Sequence, residues 1–220
     1  MLETTARTNR PSEPFLTYQE RLSRSPRWAI LEGSRHFDKT NQVFKTLERI
    51  TTRLNEIGVP YVLVDGLAMF YHGYRRFTED VDLLVTREDL KIIHEKLEGL
   101  GYVPPFAGSR HLRDVQSGVK VEFLVTGDYP GDGKPKAVSF PDPRLVAVDI
   151  NGINCLNVPT LVELKLVSGA MPHRLKDLAD VQELIRTLSL PIDLAGQLDP
   201  SVADSYRTLW AQVKAGPAEE

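Results

Sequence analysis

Two carboxylates stand two residues apart in an apolar run, and this spacing is the first feature that could support chemistry. Asp80 and Asp82 alternate with Val81 and Leu83 in the segment EDVDLLV. Residues two apart on a β-strand point to the same face, so both carboxylates project together while the apolar side chains are buried. Two like charges on a core strand are costly unless a cation compensates them. A divalent ion with oxygen ligands is the natural candidate.

A turn and a short helix come directly before this strand. An apolar run from Tyr61 ends at Asp65-Gly66, and residues 67–72 then form a short helical segment that ends at Gly73. The Asp-Gly pair indicates a strand followed by a turn, and a glycine is typical of the residue after a helix. The two carboxylates are therefore predicted to lie beside the turn at Gly66.

A third acidic residue lies on a later predicted strand. In the segment VKVEFLV, the valines and Phe123 share one face, and Glu122 lies on the other face with Lys120 and Leu124. Taken alone, a glutamate in this position is typical of a solvent-exposed sheet edge.

The remaining pattern is α+β. Apolar residues recur at helical spacing from about residue 37 to 57, and Thr86 is a plausible N-cap for a helix that ends near Leu100. Ser117-Gly118 and Asn151-Gly152 indicate hairpins. Residues 126–143, rich in Gly, Pro and Asp, indicate a long loop that can act as a flap. Further helices are predicted from Pro159, from near Pro172 and from about Pro200 to Val213.

Length, charge and cysteine content set broad bounds. The chain has 220 residues and a formal net charge of −3, which gives no global attraction to nucleic acid or to an anionic membrane. Its single cysteine, Cys155, excludes an intramolecular disulfide, and its apolar surroundings favour a buried thiol. No apolar run reaches transmembrane length, and the N-terminus lacks a signal-peptide pattern. These features predict a cytoplasmic protein with no membrane partner.

The run GLAMFYHGYRRFTEDVDLLV is similar to the signature of nucleotidyltransferases of the DNA polymerase β superfamily. It looks closest to small bacterial AbiEii-type and related toxin–antitoxin proteins. In that signature a glycine turn opens a short helix, and a Gly-x-x-Arg-x-Thr-x-Asp-hydrophobic-Asp run completes it. The matching residues are Gly66, Ala68, Gly73, Arg76, Thr78, Asp80 and Asp82.

The resemblance extends over roughly residues 59–188 and implies roles for further residues. Glu122 matches the third carboxylate of the family, and Lys165 matches a lysine on a later helix. Lys176, Asp177 and Asp180 match a Lys-Asp-x-x-Asp run. The implied catalytic and metal-binding residues are Asp80, Asp82 and Glu122. The implied nucleotide-binding residues are Asp65, Gly66, Arg76, Thr78, Lys165, Arg174, Lys176, Asp177 and Asp180.

One residue departs from the family pattern. The first glycine of the family's pair is Asp65 here, so a carboxylate stands where phosphate oxygens approach. An acidic residue just before a helix can cap its free N–H groups, and we expect Asp65 to do so. Those N–H groups are the ones that a triphosphate needs.

The resemblance implies a nucleotidyltransferase-like fold with a mixed, mostly antiparallel sheet, packed helices and a helical C-terminal part. The predicted divisions are an N-terminal, partly flexible arm (1–36), a core (37–158) and the helical part (159–220). The implied function is transfer of a nucleoside monophosphate from an NTP to a hydroxyl of tRNA, protein or a small molecule, with Mg²⁺ or Mn²⁺. The alternative is a catalytically silent, antitoxin-like partner of another protein.

Overall fold

The computed structural model describes residues 16–216. Residues 1–15, which belong to the N-terminal arm predicted over residues 1–36, lie outside the described residues. Two helices, α1 (Tyr18–Arg24) and α2 (Pro26–Phe37), open the described chain. No helix among the described residues is long and apolar enough to cross a membrane.

The core consists of a seven-stranded sheet with helices packed against it. In chain order, the remaining elements before the C-terminal helices are α3 (Gln42–Glu56), β1 (Val62–Leu63), α4 (Asp65–His72), β2 (Asp80–Val85), α5 (Arg87–Leu97), β3 (Tyr102–Val103), β4 (His111–Asp114), β5 (Lys120–Val125), α6 (Pro143–Val146), β6 (Ala147–Ile150) and β7 (Ile153–Leu156). Both predicted hairpins, β4–β5 and β6–β7, are confirmed.

The sheet order is β3-β4-β5-β2-β1-β7-β6. Only the β2–β5 and β1–β7 pairs are parallel, and the other four pairs are antiparallel. The helices α7 (Val158–Gly169), α8 (Leu175–Thr187) and α9 (Pro200–Ala215) follow the sheet. The predicted α+β class, with a mixed, mostly antiparallel sheet and a helical C-terminal part, is confirmed. The three-part division of the chain remains a prediction.

The helix predicted from residue 37 begins at Gln42 instead, and the reason is local. Lys39 has a left-handed backbone conformation, with φ of 57°, which ends α2. Asn41 then caps α3, because its side chain accepts a hydrogen bond from the backbone N–H of Phe44 at 3.1 Å. Phe37, counted with this helix in the sequence pattern, belongs to α2.

The first described helix is fixed against the β4–β5 turn. The backbone N–H of Tyr18 donates to the carbonyl of Gly118 at 3.0 Å. Gly118 has φ of 75°, and a Cβ there would lie 2.7 Å from the carbonyl oxygen of Leu16. Glycine is required at this turn because both the conformation and the close approach exclude a side chain.

Candidate active site

Asp80, Asp82 and Glu122, here called the carboxylate trio, lie side by side at the centre of the sheet. The parallel register of β2 and β5 pairs Asp82 with Glu122 and Asp80 with Lys120. On each strand the apolar neighbours are buried, so the alternating polar residues share the opposite face. One carboxylate oxygen from each member lies within 4.8 Å of the others. The strand pairing thus brings Glu122 beside Asp82, which lies 40 positions earlier in the sequence.

Lys120 completes this face and was not assigned to the site from the sequence. Its Nζ donates to Oε2 of Glu122 at 2.6 Å and lies 3.2 Å from Oδ2 of Asp80. The alternation of β5, which places Lys120 and Glu122 on one face, was the signal that could have identified it. Burial lowers the pKa of Lys120, but the hydrogen bond to Glu122 and the charge of Asp80 raise it overall.

Asp82 is surrounded by other carboxylates. Burial raises the pKa of its carboxyl group well above the usual range, and the negative charges of Asp80, Asp65 and Glu122 raise it further. Three carboxylates with one lysine leave negative charge uncompensated. Oxygen-only donors with excess negative charge fit a hard divalent cation such as Mg²⁺ or Mn²⁺.

Thr78 and Gly66 connect the trio to the start of α4. The Thr78 hydroxyl donates to Oδ1 of Asp80 at 3.2 Å. A Cβ on Gly66 would lie 3.0 Å from Oγ1 of Thr78 and 3.2 Å from Nη1 of Arg76. Glycine is therefore required at position 66 for the close approach of the Thr78 and Arg76 side chains.

Asp65 does not cap α4, contrary to the sequence-based expectation. The N-cap is Val64, which makes no side-chain cap hydrogen bond, and Asp65 is the first helical residue, with φ of 51°. Its carboxylate instead pairs with Lys165 and lies 3.4 Å from Nη2 of Arg76. Left-handed backbone favours glycine, and aspartate is among the few other residues that adopt it readily. The backbone at Asp65 therefore has a conformation that glycine also adopts readily.

Lys165 is the centre of a buried charge network, here called the Lys165 network. Besides Asp65, its Nζ contacts Oδ1 of Asp177 at 3.0 Å and Oδ2 of Asp180 at 2.7 Å. The Lys165 side chain is only 6% exposed. Burial lowers its pKa, but the charges of Asp65, Asp180 and Asp177 raise it overall. These three aspartates could geometrically hold a metal ion, but the lysine ammonium already lies among them.

Two arginines belong to the same network. Arg76 Nη2 lies 3.2 Å from Oδ2 of Asp180, and Arg174 Nε donates to Oδ2 of Asp177 at 2.7 Å. Burial raises the pKa of Asp177, but the Lys165 charge and the Arg174 hydrogen bond lower it overall. Asp177 and Asp180 therefore hold basic side chains in place, and Lys165 is fully engaged by carboxylates.

A buried histidine outside the signature also supports Arg76. His36 on α2 is fully buried, and its Nε2 lies 3.0 Å from the backbone carbonyl oxygen of Arg76. Because a carbonyl only accepts, Nε2 carries the proton, and Nδ1 accepts from the Asn41 side chain at 3.0 Å. Burial lowers the pKa of His36, which keeps the ring neutral. No sequence pattern connected this residue with the signature.

A cavity of about 720 Å³ lies over the carboxylate trio. Three residues of the helical C-terminal part, Arg174, Lys176 and Asp177, line this cavity. Asp180 and Gly66 do not line it. The residues that line it include Asp65, Arg76, Thr78, Asp80, Asp82, Lys120, Glu122, Lys165, Arg174, Lys176 and Asp177. Ten of the twelve residues to which the resemblance gives a role line this cavity, and Lys120 lines it as well. Asp180 adjoins the cavity through its ion pair with Lys165.

The predicted long loop provides another part of the cavity wall. Its two arms join where the Gly127 N–H donates to the Phe140 carbonyl and the Phe140 N–H donates to the Asp128 carbonyl, each at 2.8 Å. Tyr129, Gly131 and Phe140 line the cavity. The Asp128 side chain pairs with Arg87 and Arg110, which ties the loop to the body of the protein.

No protein-family model and no curated protein matches the chain. Among solved structures it is similar to ANT(2'')-Ia in complex with adenylyl-2''-tobramycin, with 12% identity over 78% of this chain and 98% of that chain, at a TM-score of 0.47. It is also similar to TM1012 from Thermotoga maritima, with 17% identity over 66% of this chain and 91% of that chain, at a TM-score of 0.43. A third similar structure is JHP933 from Helicobacter pylori, with 18% identity over 78% of this chain and 79% of that chain, at a TM-score of 0.41. Likenesses this distant carry no information about activity or substrate.

Proposed function

We propose that the protein is a metal-dependent nucleotidyltransferase that moves a nucleoside monophosphate from an NTP to a hydroxyl group. The observation that carries this proposal is the carboxylate trio on adjacent strands, facing a cavity that also receives Arg174 and Lys176. Carboxylates suit divalent cations, and arginine and lysine suit phosphate oxygens. One cavity thus combines the two kinds of group that nucleotidyl transfer requires.

The carboxylate trio would hold Mg²⁺ or Mn²⁺. When bound, the ion supplies positive charge that stabilises the negative charge developing on the transferred phosphate and on pyrophosphate. Arg174 and Lys176 would bind the triphosphate, and the backbone N–H groups that follow Gly66 at the start of α4 would orient it. Thr78 keeps the Asp80 carboxylate in place through its hydrogen bond.

Glu122 would orient the acceptor hydroxyl and take its proton. The Glu122 side chain is 39% exposed, so an acceptor can approach it from solvent. The hydroxyl oxygen forms a bond to the α-phosphorus, the bond from the α-phosphorus to the bridging oxygen breaks, and pyrophosphate leaves. Holding these groups in line is the main contribution of the protein.

Glu122→Gln is expected to reduce turnover far more than NTP affinity. The amide keeps the shape of the side chain but accepts no proton, and a barrier raised by about 3 kcal/mol corresponds to a rate reduction of about a hundredfold or more. Steady-state kinetics would give kcat, and calorimetry would give NTP affinity. A variant with unchanged kcat would remove Glu122 from this role.

Asp65→Gly is expected to bind NTP more tightly, by about 1–2 kcal/mol, the range of a charge-assisted hydrogen bond. The substitution removes a negative charge at the turn, and it frees one of the three N–H donors of the Lys165 ammonium for phosphate while Asp177 and Asp180 keep the other two. Glycine also accepts the left-handed backbone at this position. Loss of the ion pair and the flexibility of glycine should lower thermal stability modestly. Weaker binding by the folded variant would mean that Asp65 serves the nucleotide directly.

The second candidate is a catalytically silent partner protein, as in the antitoxin-like alternative. The observation that favours it is the engagement of Lys165 by Asp65 and two further aspartates, which withholds this lysine from phosphate. Calorimetry with Mg²⁺ and each NTP separates the candidates, because a silent protein would bind neither. In this second candidate function, the protein is related to AbiEii-type proteins and binds a cognate partner protein.

The acceptor is a hydroxyl of tRNA, of a protein or of a small molecule. Incubation of the protein with α-³²P-labelled NTPs and, separately, with total tRNA, cell lysate and aminoglycosides would identify the acceptor class. Asp82→Asn is the control, since label incorporated by this variant would come from a contaminating enzyme.

A further inference from the structure

Lys120 lies in the gap between two members of the carboxylate trio. Its ammonium is 2.6 Å from Oε2 of Glu122 and 3.2 Å from Oδ2 of Asp80, which are distances of direct ion pairs. The pairing follows from the fold, because Lys120 is the register partner of Asp80 and lies two residues before Glu122 on the same strand face. Lys120 therefore acts as an internal counter-ion of the trio.

One ammonium compensates the trio only in part. With all groups ionised, three carboxylates and one lysine leave two negative charges without a partner. A divalent cation would supply one more positive charge than the lysine. A cation that bridges Asp80 and Glu122 would take the gap that the ammonium fills, and two cations in one small gap repel each other strongly. The Lys120 side chain is 23% exposed, so it has a route toward solvent.

We propose that Lys120 is an exchangeable cation that holds the carboxylate trio together in the metal-free protein and is displaced from Asp80 and Glu122 when a divalent metal binds. This inference rests on the proposed function, because it places the metal at the trio. Lys120 and the metal ion then compete for the same carboxylates, so the lysine raises the metal concentration that is needed to fill the site. Removing Lys120 would leave the ligands intact and remove the competitor.

The test is Mn²⁺ binding to Lys120→Met, measured without nucleotide by calorimetry and by electron paramagnetic resonance of free Mn²⁺. Methionine keeps an unbranched, apolar side chain and removes the charge. We expect Lys120→Met to bind Mn²⁺ about tenfold more tightly than the wild type or better, as for loss of one competing charge-assisted hydrogen bond. The matched control is Lys176→Met, which removes a lysine from the same cavity wall without an ion pair to the trio in the described structure. Its affinity should stay close to that of the wild type.

Thermal melting gives a second readout and also monitors folding. Without metal, Lys120→Met should melt below the wild type, because the trio loses its counter-ion, and Mn²⁺ should raise its melting temperature more than that of the wild type. In the wild type, Mn²⁺ should increase acylation of Lys120 by an amine-reactive ester, followed by mass spectrometry. Equal or weaker Mn²⁺ binding by folded Lys120→Met would show that Lys120 does not compete with the metal, and the proposal would be wrong.

A double variant separates this failure from failure of the proposed function. Lys120→Met with Asp82→Asn should lose the tight Mn²⁺ binding of Lys120→Met. If the double variant binds as tightly as Lys120→Met, the metal is not at the trio, and both proposals are wrong. If Asp82→Asn abolishes binding in the wild-type background but Lys120→Met leaves affinity unchanged, the metal site stands and only the exchange is wrong.

Discussion

Asp82→Asn is expected to lose divalent-metal binding and to lower nucleotidyl transfer by about a thousandfold or more, the equivalent of about 4 kcal/mol in the barrier. Asp82 lies opposite Glu122 on the neighbouring strand and two residues after Asp80 on its own strand, and burial with three neighbouring negative charges raises the pKa of its carboxyl group. An uncharged amide of the same size removes a metal ligand while it relieves this repulsion. The melting temperature without metal should therefore stay the same or rise.

Calorimetry with Mg²⁺ and Mn²⁺, together with thermal melting, would test both parts of this prediction. A folded Asp82→Asn variant that binds metal as the wild type does would place the metal elsewhere. Asp128→Asn is a useful control, since Asp128 also lines the cavity but pairs with Arg87 and Arg110 at the loop. Its metal affinity should remain close to that of the wild type.

Lys165→Met is expected to destabilise the protein by about 3–5 kcal/mol, because removal of one partner from a buried ion network leaves charges without compensation. Asp65, Asp177 and Asp180 would then share only Arg76 and Arg174. For a chain of this length, each kcal/mol shifts the melting temperature by about 2–4 °C. The variant should therefore melt about 10 °C below the wild type, or should fail to fold.

Two further variants make this result specific. Lys176→Met removes an exposed lysine from the first turn of α8 and should change stability by no more than about 0.5 kcal/mol. Lys165→Met combined with Asp180→Asn removes one of the three carboxylates that Arg76 and Arg174 alone would have to compensate, so it should recover part of the lost stability. Equal melting temperatures for Lys165→Met and Lys176→Met would show that the network does not stabilise the fold.

The sequence predicted those parts of the site that depend on local periodicity. Alternation on β2 and β5 placed Asp80, Asp82 and Glu122 on polar strand faces. The helix α4 ends at His72 with Gly73 as its C-cap, as expected, although it begins at Asp65, two residues earlier than predicted. Such features follow from neighbouring residues and from the two-residue repeat of a strand. The register that pairs Asp82 with Glu122 was not readable from the chain, because it depends on the tertiary arrangement of distant strands.

The interactions that the sequence did not predict join residues far apart in the chain. The Lys165 ammonium meets Asp65 across 100 positions, and the His36 ring meets the Arg76 carbonyl across 40. The expected cap by Asp65 was wrong, because the left-handed backbone at this residue turns its carboxylate to Lys165. Local propensity correctly found an acidic residue suited to a helix start, but a buried lysine offered a stronger partner.

The most direct test of nucleotidyl transfer follows the fate of the α-phosphate. The wild-type protein would be incubated with Mn²⁺, the acceptor fraction and an NTP labelled at either the α- or the γ-phosphate. The account predicts that α-label enters the acceptor, that γ-label leaves as pyrophosphate, and that chelation of the metal or Asp82→Asn stops both. Transfer of γ-label to the acceptor, or transfer of α-label that persists without metal, would contradict it.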